Sequence, residues 1–187
     1  MACDKIADWY EAAVERQGEA LAAQNTALEN LKIASATFVA AEVWAASCFL
    51  LVYTPPPFSI VAFGICEVPA LAAMAAAAYA MDLYLDDFNA ATEAYVAAEK
   101  AAAILEELLC KCEAQEARHM PTDQTLEEAQ TAYAEAEAIE IPDVDDSALS
   151  DAESAVDEAE SAVEEAQDYV DEHENDTETE EEAWPNA

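Results

Sequence analysis

The side chains whose type and spacing could do chemistry are few: five cysteines, two histidines, and Glu42 and Glu67 inside two otherwise uncharged stretches. Cys110 and Cys112 flank Lys111, and with His119 and Cys3 they offer the ligand types of a zinc site. Helix geometry opposes that reading, because residues two apart point to nearly opposite faces and His119 lies about two turns beyond Cys112. No metal and no cofactor is expected. The cysteines sort better by position. Cys3 and Cys112 sum to 115, and Cys48 and Cys66 sum to 114, so each pair would lie opposite the other across a single reversal near residue 57. Both pairs are candidate disulfides, one at the open end and one near the tip, with buried thiols as the alternative in a reducing compartment. Cys110 is left over.

Other reactive patterns are missing. With two glycines in the whole chain there is no glycine-rich phosphate loop, and neither HExxH nor CxxC occurs. His119 and His173 have no nucleophile pattern beside them. Asp143, Asp145 and Asp146 suggest calcium, but the glycine and terminal glutamate of an EF-hand loop are absent, so this run reads as a turn and helix cap. No catalytic residue is assigned, and an enzyme is not expected.

The elements that must position these residues follow from composition. The chain of 187 residues is rich in alanine and has only 2 Gly and 7 Pro, which favours long helices and argues against a sheet. Two apolar runs, 33–53 and 58–81, flank a turn at 54–57 built on Pro55, Pro56 and Pro57, none of which can donate a backbone hydrogen bond. As helices the runs would extend roughly 31 and 36 Å, against a hydrocarbon core of about 30 Å. On both sides of them the helices continue as amphipathic segments. In the first, Cys3, Ala7, Tyr10, Val14, Gln17, Leu21, Gln24, Leu28, Leu31, Ser35 and Phe38 recur at spacings of three and four; in the second, Tyr84, Phe88, Ala91, Tyr95, Ala98, Ala102, Leu105, Leu109 and Cys112 do the same. Folding back at residue 57 or 58 pairs positions that sum to 115 or 116, setting large residues opposite small ones. Gly18 weakens the first helix by roughly 1 kcal/mol without overturning it.

Extending these seams puts Glu42 and Glu67 on inward positions. Desolvation disfavours the charged form of a buried carboxyl, so the pair is expected to act as a protonation switch or a polar lining. Each acid near a bilayer centre costs on the order of 2.5 to 3.5 kcal/mol, which alanine does little to offset. The alternative is a pair of tolerated polar residues in the core of a soluble oligomer, hydrogen-bonded to Ser47, Thr37 or backbone.

Charge is extreme and uneven. The net charge is −36, and residues 122–187 hold 25 of the 42 acids and no base. A high-salt proteome would produce such acidity overall, but the asymmetry marks an acidic arm. It repels nucleic acid, and any protein partner it has should be basic. Within it a helix over 124–140 carries a thin stripe of Leu126, Ala129, Tyr133, Ala136 and Ile139, and a helix over 147–172 carries Leu149, Ala152, Val156, Ala159, Val163, Ala166 and Val170. Such alanine-rich stripes hold only by docking on something else. Residues 173–187 read as a disordered acidic tail, with Trp184 incidental in it.

The expected protein is therefore all-α: a helical hairpin over 1–120 with a coiled-coil-like stalk and an apolar tip, an acidic helical hairpin over 121–172, and the tail over 173–187. The N-terminal residues contain early acids and no apolar core, so no signal peptide is expected; synthesis in the cytoplasm followed by membrane association is. The architecture is similar to the apolar hairpins of small membrane-perforating proteins and holins, an analogy that bears on shape more than on task. The expected function is a non-enzymatic, membrane-inserting hairpin, such as a pore former, delivered toxin or holin-like factor, acting as a homo-oligomer through its tip. The alternatives are a structural subunit that buries the hairpin between copies, and a membrane anchor displaying the acidic arm as an adaptor.

Overall fold

The computed structural model describes the backbone of residues 2–51 and 58–181, and side chains within 3–51 and 60–172. Four α-helices, and no strand among the described residues, make up the chain: α1 (Ala2–Leu50), α2 (Phe58–Ala117), α3 (Asp123–Glu137) and α4 (Ser147–Glu181). The fold is all-α, with α1 and α2 as its long hairpin. The proline turn at Pro55, Pro56 and Pro57 lies outside the described residues. The chain divides into two compact units, Met1–Glu29 with Tyr84–Val144, and Asn30–Leu83 with Asp145–Ala187. Sequence boundaries follow chain order, whereas these units follow contact, so each takes part of the long hairpin and one acidic helix.

In the first unit α1 and α2 run antiparallel. Cys3 is bonded to Cys112, and further along Gln24 Nε2 donates to Thr92 Oγ1 at 2.8 Å, a pair summing to 116. The buried line on α2 is Tyr84, Ala91, Ala98, Leu105 and Cys112, every seventh residue and all within the expected seam. On α1 the buried line is Ile6, Ala13 and Ala20, then Ala27, again every seventh residue. Here the expected seam is off by one position. The three-and-four spacing places Val14 and Leu21 inward, yet each is 43% exposed, and the alanine before each takes the buried place. The same displacement occurs on α2, where Ala94, Ala101 and Leu108 are buried while Tyr95 and Leu109 are half-buried. A methyl group at the point of closest approach lets two helices draw together, and the bulky neighbours then pack along the flanks.

α3 docks on this unit through Ala129 and Ala136, with Leu126 and Tyr133 beside them; the Tyr133 ring stacks on Trp9 at 6.3 Å between centroids. Its C-terminus is held by Arg16 of α1, whose guanidinium donates to the carbonyls of Ala136, Glu137 and Ile139. α3 has no base in its own last turn, so Arg16 supplies both the missing donors and the positive charge that a helix C-terminus favours. α3 stops at Glu137, where the sequence places its end at 140. α2 ends at Ala117, and two residues on His119 has a φ of 56°, in the left-handed region, with Met120 N–H donating to Gln115 O at 2.9 Å. A histidine thus fills the position that usually takes glycine, and Pro121 follows. His119 is accounted for as a helix terminator.

In the second unit the buried lines are Ala34, Ala41 and Cys48 on α1, and Ala70 with Ala77 and Cys66 with Ala73 and Ala80 on α2. Pro69 lies inside α2 without ending it. α4 docks here through Ala159, Val163, Ala166 and Val170. It starts at a cap in which Asp145 Oδ1 accepts from Ser147 N at 2.9 Å and from Ser147 Oγ at 2.6 Å. The helix continues through 173–181 to Glu181, where the sequence reading expected a disordered tail from 173. No proline or glycine occurs before Pro185 to stop it. Residues 182–187, with Trp184, lie outside the described residues.

Two predictions test this packing. Ala20→Leu should destabilise the protein by about 1–3 kcal/mol through overpacking, and Leu21→Ala by about 1 kcal/mol or less, both read by chemical denaturation; the reverse order would restore the seam through Leu21. The Ser147 hydrogen bonds hold the Asp145 carboxyl below the usual aspartate range, despite slight opposition from desolvation. A carboxyl acidified by folding adds stability above its unfolded pKa and loses it as pH falls through the lowered value. Amide protection at the start of α4, taken relative to the intrinsic exchange rate at each pH, should therefore fall below the ordinary aspartate range, and Asp145→Asn should remove that loss.

Candidate functional site

The second unit presents a feature that its packing does not use. On α1, Val39, Val43 and Leu50 are 55%, 57% and 68% exposed, with Phe49 beside them. On α2, Ile60, Val68, Leu71 and Tyr79 follow one another at helical spacing and are also exposed, with Gly64 and Ala75 continuing the line. These residues are outside for the reason that alanine is inside: the seam consumes the small residues and turns the large ones outward. α1 and α2 are each long and apolar enough to cross a membrane, by length and composition. Only 22% of the most apolar 18-residue stretch of α1, and 28% of that of α2, is buried, unlike the core helix of a soluble protein.

Polar groups within this region are largely self-contained. Thr37 Oγ1 donates to Ile33 O at 3.0 Å and Ser47 Oγ to Val43 O at 2.9 Å. Neither hydroxyl proton is left for Glu42 or Glu67, which removes the expected side-chain partners of those acids. Pro69 frees the Ile65 carbonyl from its usual intrahelical donor, a defect that apolar helices tolerate when neighbouring groups compensate.

The two acids are not where extension of the spaced seam places them. Glu42 is exposed, on the same side as Val39, Val43 and Ala46, and Ala41 takes the buried position. Glu67 is half-buried next to the buried Cys66. Both corrections are the same single-residue displacement seen in the first unit. They leave Glu42 as the only charge on α1 between Lys32 and Leu50, on an otherwise apolar surface.

The four paired cysteines are brought together two by two. Cys3 and Cys112 are joined with Cα atoms 5.7 Å apart, and Cys48 and Cys66 with Cα atoms 5.8 Å apart. Cys110 is a free, exposed thiol. The Cys3 and Cys112 sulfurs and a Glu116 carboxylate oxygen lie within 4.8 Å of one another. Sulfurs bonded to each other offer no thiolates to a metal, so the disulfide takes the place of a zinc site. His119 serves the helix end. An open groove between α2 and α3 is lined by Ile104, Glu127, Glu128, Thr131 and Glu135, a set with carboxylates but no base paired to a nucleophile. Among the described residues, no buried side-chain polar atom lacks a partner, so none points to an unmet ligand. No known protein family, curated protein or solved structure matches the chain.

Sequence reasoning marks 33–53 and 58–81 as apolar runs of membrane-spanning length but does not resolve which side of each helix stays bare. The available signal was the unbroken seven-residue repeat of alanine from Ala13 to Ala41. The covalent staple is testable directly. The Cys3–Cys112 bridge closes a sequence separation of 109 residues, so Cys3→Ser with Cys112→Ser should lose about 2–4 kcal/mol in denaturation. Thiol titration of the unfolded, unreduced wild type should find Cys110 alone reactive.

Proposed function

We propose that this is a non-enzymatic, membrane-inserting helical-hairpin protein that acts as a homo-oligomer through the apolar part of α1 and α2. The observation that carries the reading is the pair of exposed apolar stripes, Val39–Val43–Leu50 and Ile60–Val68–Leu71–Tyr79, on two helices of membrane-crossing length and composition. Surface of this kind is removed from water either by lipid or by neighbouring protein. The internally closed hydroxyls of Thr37 and Ser47 and the proline inside α2 are compatible with lipid.

Glu42 decides what kind of membrane protein this would be. An exposed carboxylate amid apolar residues cannot face hydrocarbon at low cost, so in a bilayer it turns to another copy or to a water-filled lumen. That supports a pore former, delivered toxin or holin-like factor over a single resident anchor. Glu42 and Glu67 would set the insertion equilibrium, Glu42 the more strongly because it is the more exposed. The acidic helices would keep the protein soluble before insertion, with a basic protein as any partner of their outer surface.

The same carboxylate favours a second reading. A structural subunit of a large assembly would bury the stripes against neighbouring copies and give Glu42 a protein partner, with no lipid involved.

Flotation and dye release with liposomes separate the two. The wild type should float with the vesicles and release their contents. Val43→Asp with Val68→Asp, both at exposed positions that the fold tolerates, should reduce flotation at least ten-fold without loss of helicity. Glu42→Gln with Glu67→Gln should flatten the dependence of flotation on pH between about 5 and 8, because neither amide carries a charge that must be removed from water on insertion; an unchanged profile would remove the switch role. A discrete soluble oligomer that neither floats nor releases dye would leave the structural subunit.

A further inference from the structure

We propose that α4 is a detachable cover on the apolar hairpin of the second unit, and that the hairpin crosses a bilayer only after α4 has left it. The inference rests on the membrane reading above and adds its regulation.

α4 has two unlike sides. The side against α1 and α2 consists of Ala152, Ala159, Ala162, Val163, Ala166 and Val170, all buried. Of these, Ala159 packs with Ala41 and Ala73 at one level, and Val163, Ala166 and Val170 with Cys48, Ala62, Cys66 and Ala70 at another. The opposite side is a continuous row of exposed acids, including Asp157, Glu160, Glu164, Glu165 and Asp168, and α4 contains no Lys or Arg. In a bilayer the side of the hairpin that carries Glu42 turns to another copy or to a lumen, and its other outward sides, including the one under α4, meet hydrocarbon. With α4 in place one side would bring that row of carboxylates into the hydrocarbon, so the covered hairpin can lie against a membrane by its bare stripes but cannot span it.

Removing α4 changes the surface in the required direction. What it uncovers on α1 and α2 is alanine, the Cys48–Cys66 bridge, and the flanking Trp44, Phe63 and Met74. That surface suits lipid as well as it suits α4, so the bilayer competes with α4 for the same side chains. The contact is also shallow. Alanine and valine present little area per residue, and an isolated amphipathic helix of this kind gains its stability from docking and not from itself. Residues 138–146 tether α4 to α3, so a released α4 stays on the chain and the displacement is reversible.

The test uses the full chain in a Cys110→Ser background with phosphatidylcholine vesicles holding a self-quenched dye. A locked form, Ala73→Cys with Ala159→Cys, joins two buried alanines of one cluster and ties α4 to α2. A loosened form, Val163→Asp with Val170→Asp, alters only the contact side of α4. Wild type with and without reductant controls for the native bridges. All forms should float equally, through the bare stripes. Dye release should be at least ten-fold faster from the loosened form than from wild type, be absent from the oxidised locked form, and return to the wild-type rate when that form is reduced.

Flotation of all forms with equal release, or with no release from any, would overturn the cover while leaving membrane association standing. No flotation by any form would overturn the membrane reading and the cover with it. If the new cysteines do not join on oxidation, judged by mass, α4 does not lie on Ala73 and the proposal fails. Should the aspartates unfold the hairpin, seen as lost helicity, the oxidised and reduced locked forms still decide the matter.

Discussion

The structure depends on alanine at the positions where α1 and α2 come closest. Each of Ala13, Ala20 and Ala27 in one unit, and Ala34 and Ala41 in the other, puts only a methyl group between the helices. Two backbones can then approach more closely than leucine would allow, and van der Waals contact between them replaces the burial of large side chains. The bulky residues have to go elsewhere. In the first unit several are taken up by α3, as Trp9 is by Tyr133. In the second, α4 takes up only part of the surface, and Val39, Val43, Val68 and Leu71 stay exposed. The exposed stripes are therefore a consequence of the seam, and the two cannot be altered independently.

A seam of methyl groups stabilises little per layer, because the apolar area removed from water is small. The remaining contributions are visible as separate devices. A disulfide ties Cys3 to Cys112 at the open end of the hairpin and restricts the unfolded chain over most of its length. Arg16 reaches three carbonyls at the end of α3 and so fastens an acidic helix that has no base of its own. Gln24 and Thr92 pair across the helices, and the Thr92 hydroxyl proton goes back to Phe88 O. The Lys111–Glu128 ion pair is half-exposed on both sides and adds little. Much of the holding is polar or covalent, as an alanine-rich chain requires.

How much of this was legible follows from what each residue type signals. Helix class and the long hairpin were legible from the scarcity of glycine and the cluster of prolines. The register was legible from cysteine positions, because two sums of 114 and 115 constrain one reversal more tightly than hydrophobicity does. The line Tyr84–Ala91–Ala98–Leu105–Cys112 was legible because its small and large members share one spacing. The second line on each helix is displaced by one residue, since spacings of three and four from Tyr10 and Phe88 lead equally well to Leu21 and Tyr95 as to the alanines before them. The docking of α3 and α4 was not legible in detail. An alanine and valine stripe records that a helix docks, but not on what. The end of α3 was hidden as well, because the residue that meets its last carbonyls, Arg16, is 120 positions away in sequence from the carbonyl of Ala136.

The single-residue misreading has its largest effect at Glu42. One position along a helix is a rotation of about 100°, enough to carry a side chain from the seam to the outer surface. Had the seam run through Glu42, its carboxylate would have been a matter internal to one hairpin, answered by a partner on α2. With Ala41 in the seam, Glu42 stands among Val39, Val43 and Ala46, and among the described residues of its own hairpin nothing is positioned to answer it. Whatever covers the valines must also accommodate the carboxylate. Pure hydrocarbon does not, whereas a second copy or a water-lined path does. The seam that draws two helices together is thus also what sets the terms on which the hairpin meets its surroundings.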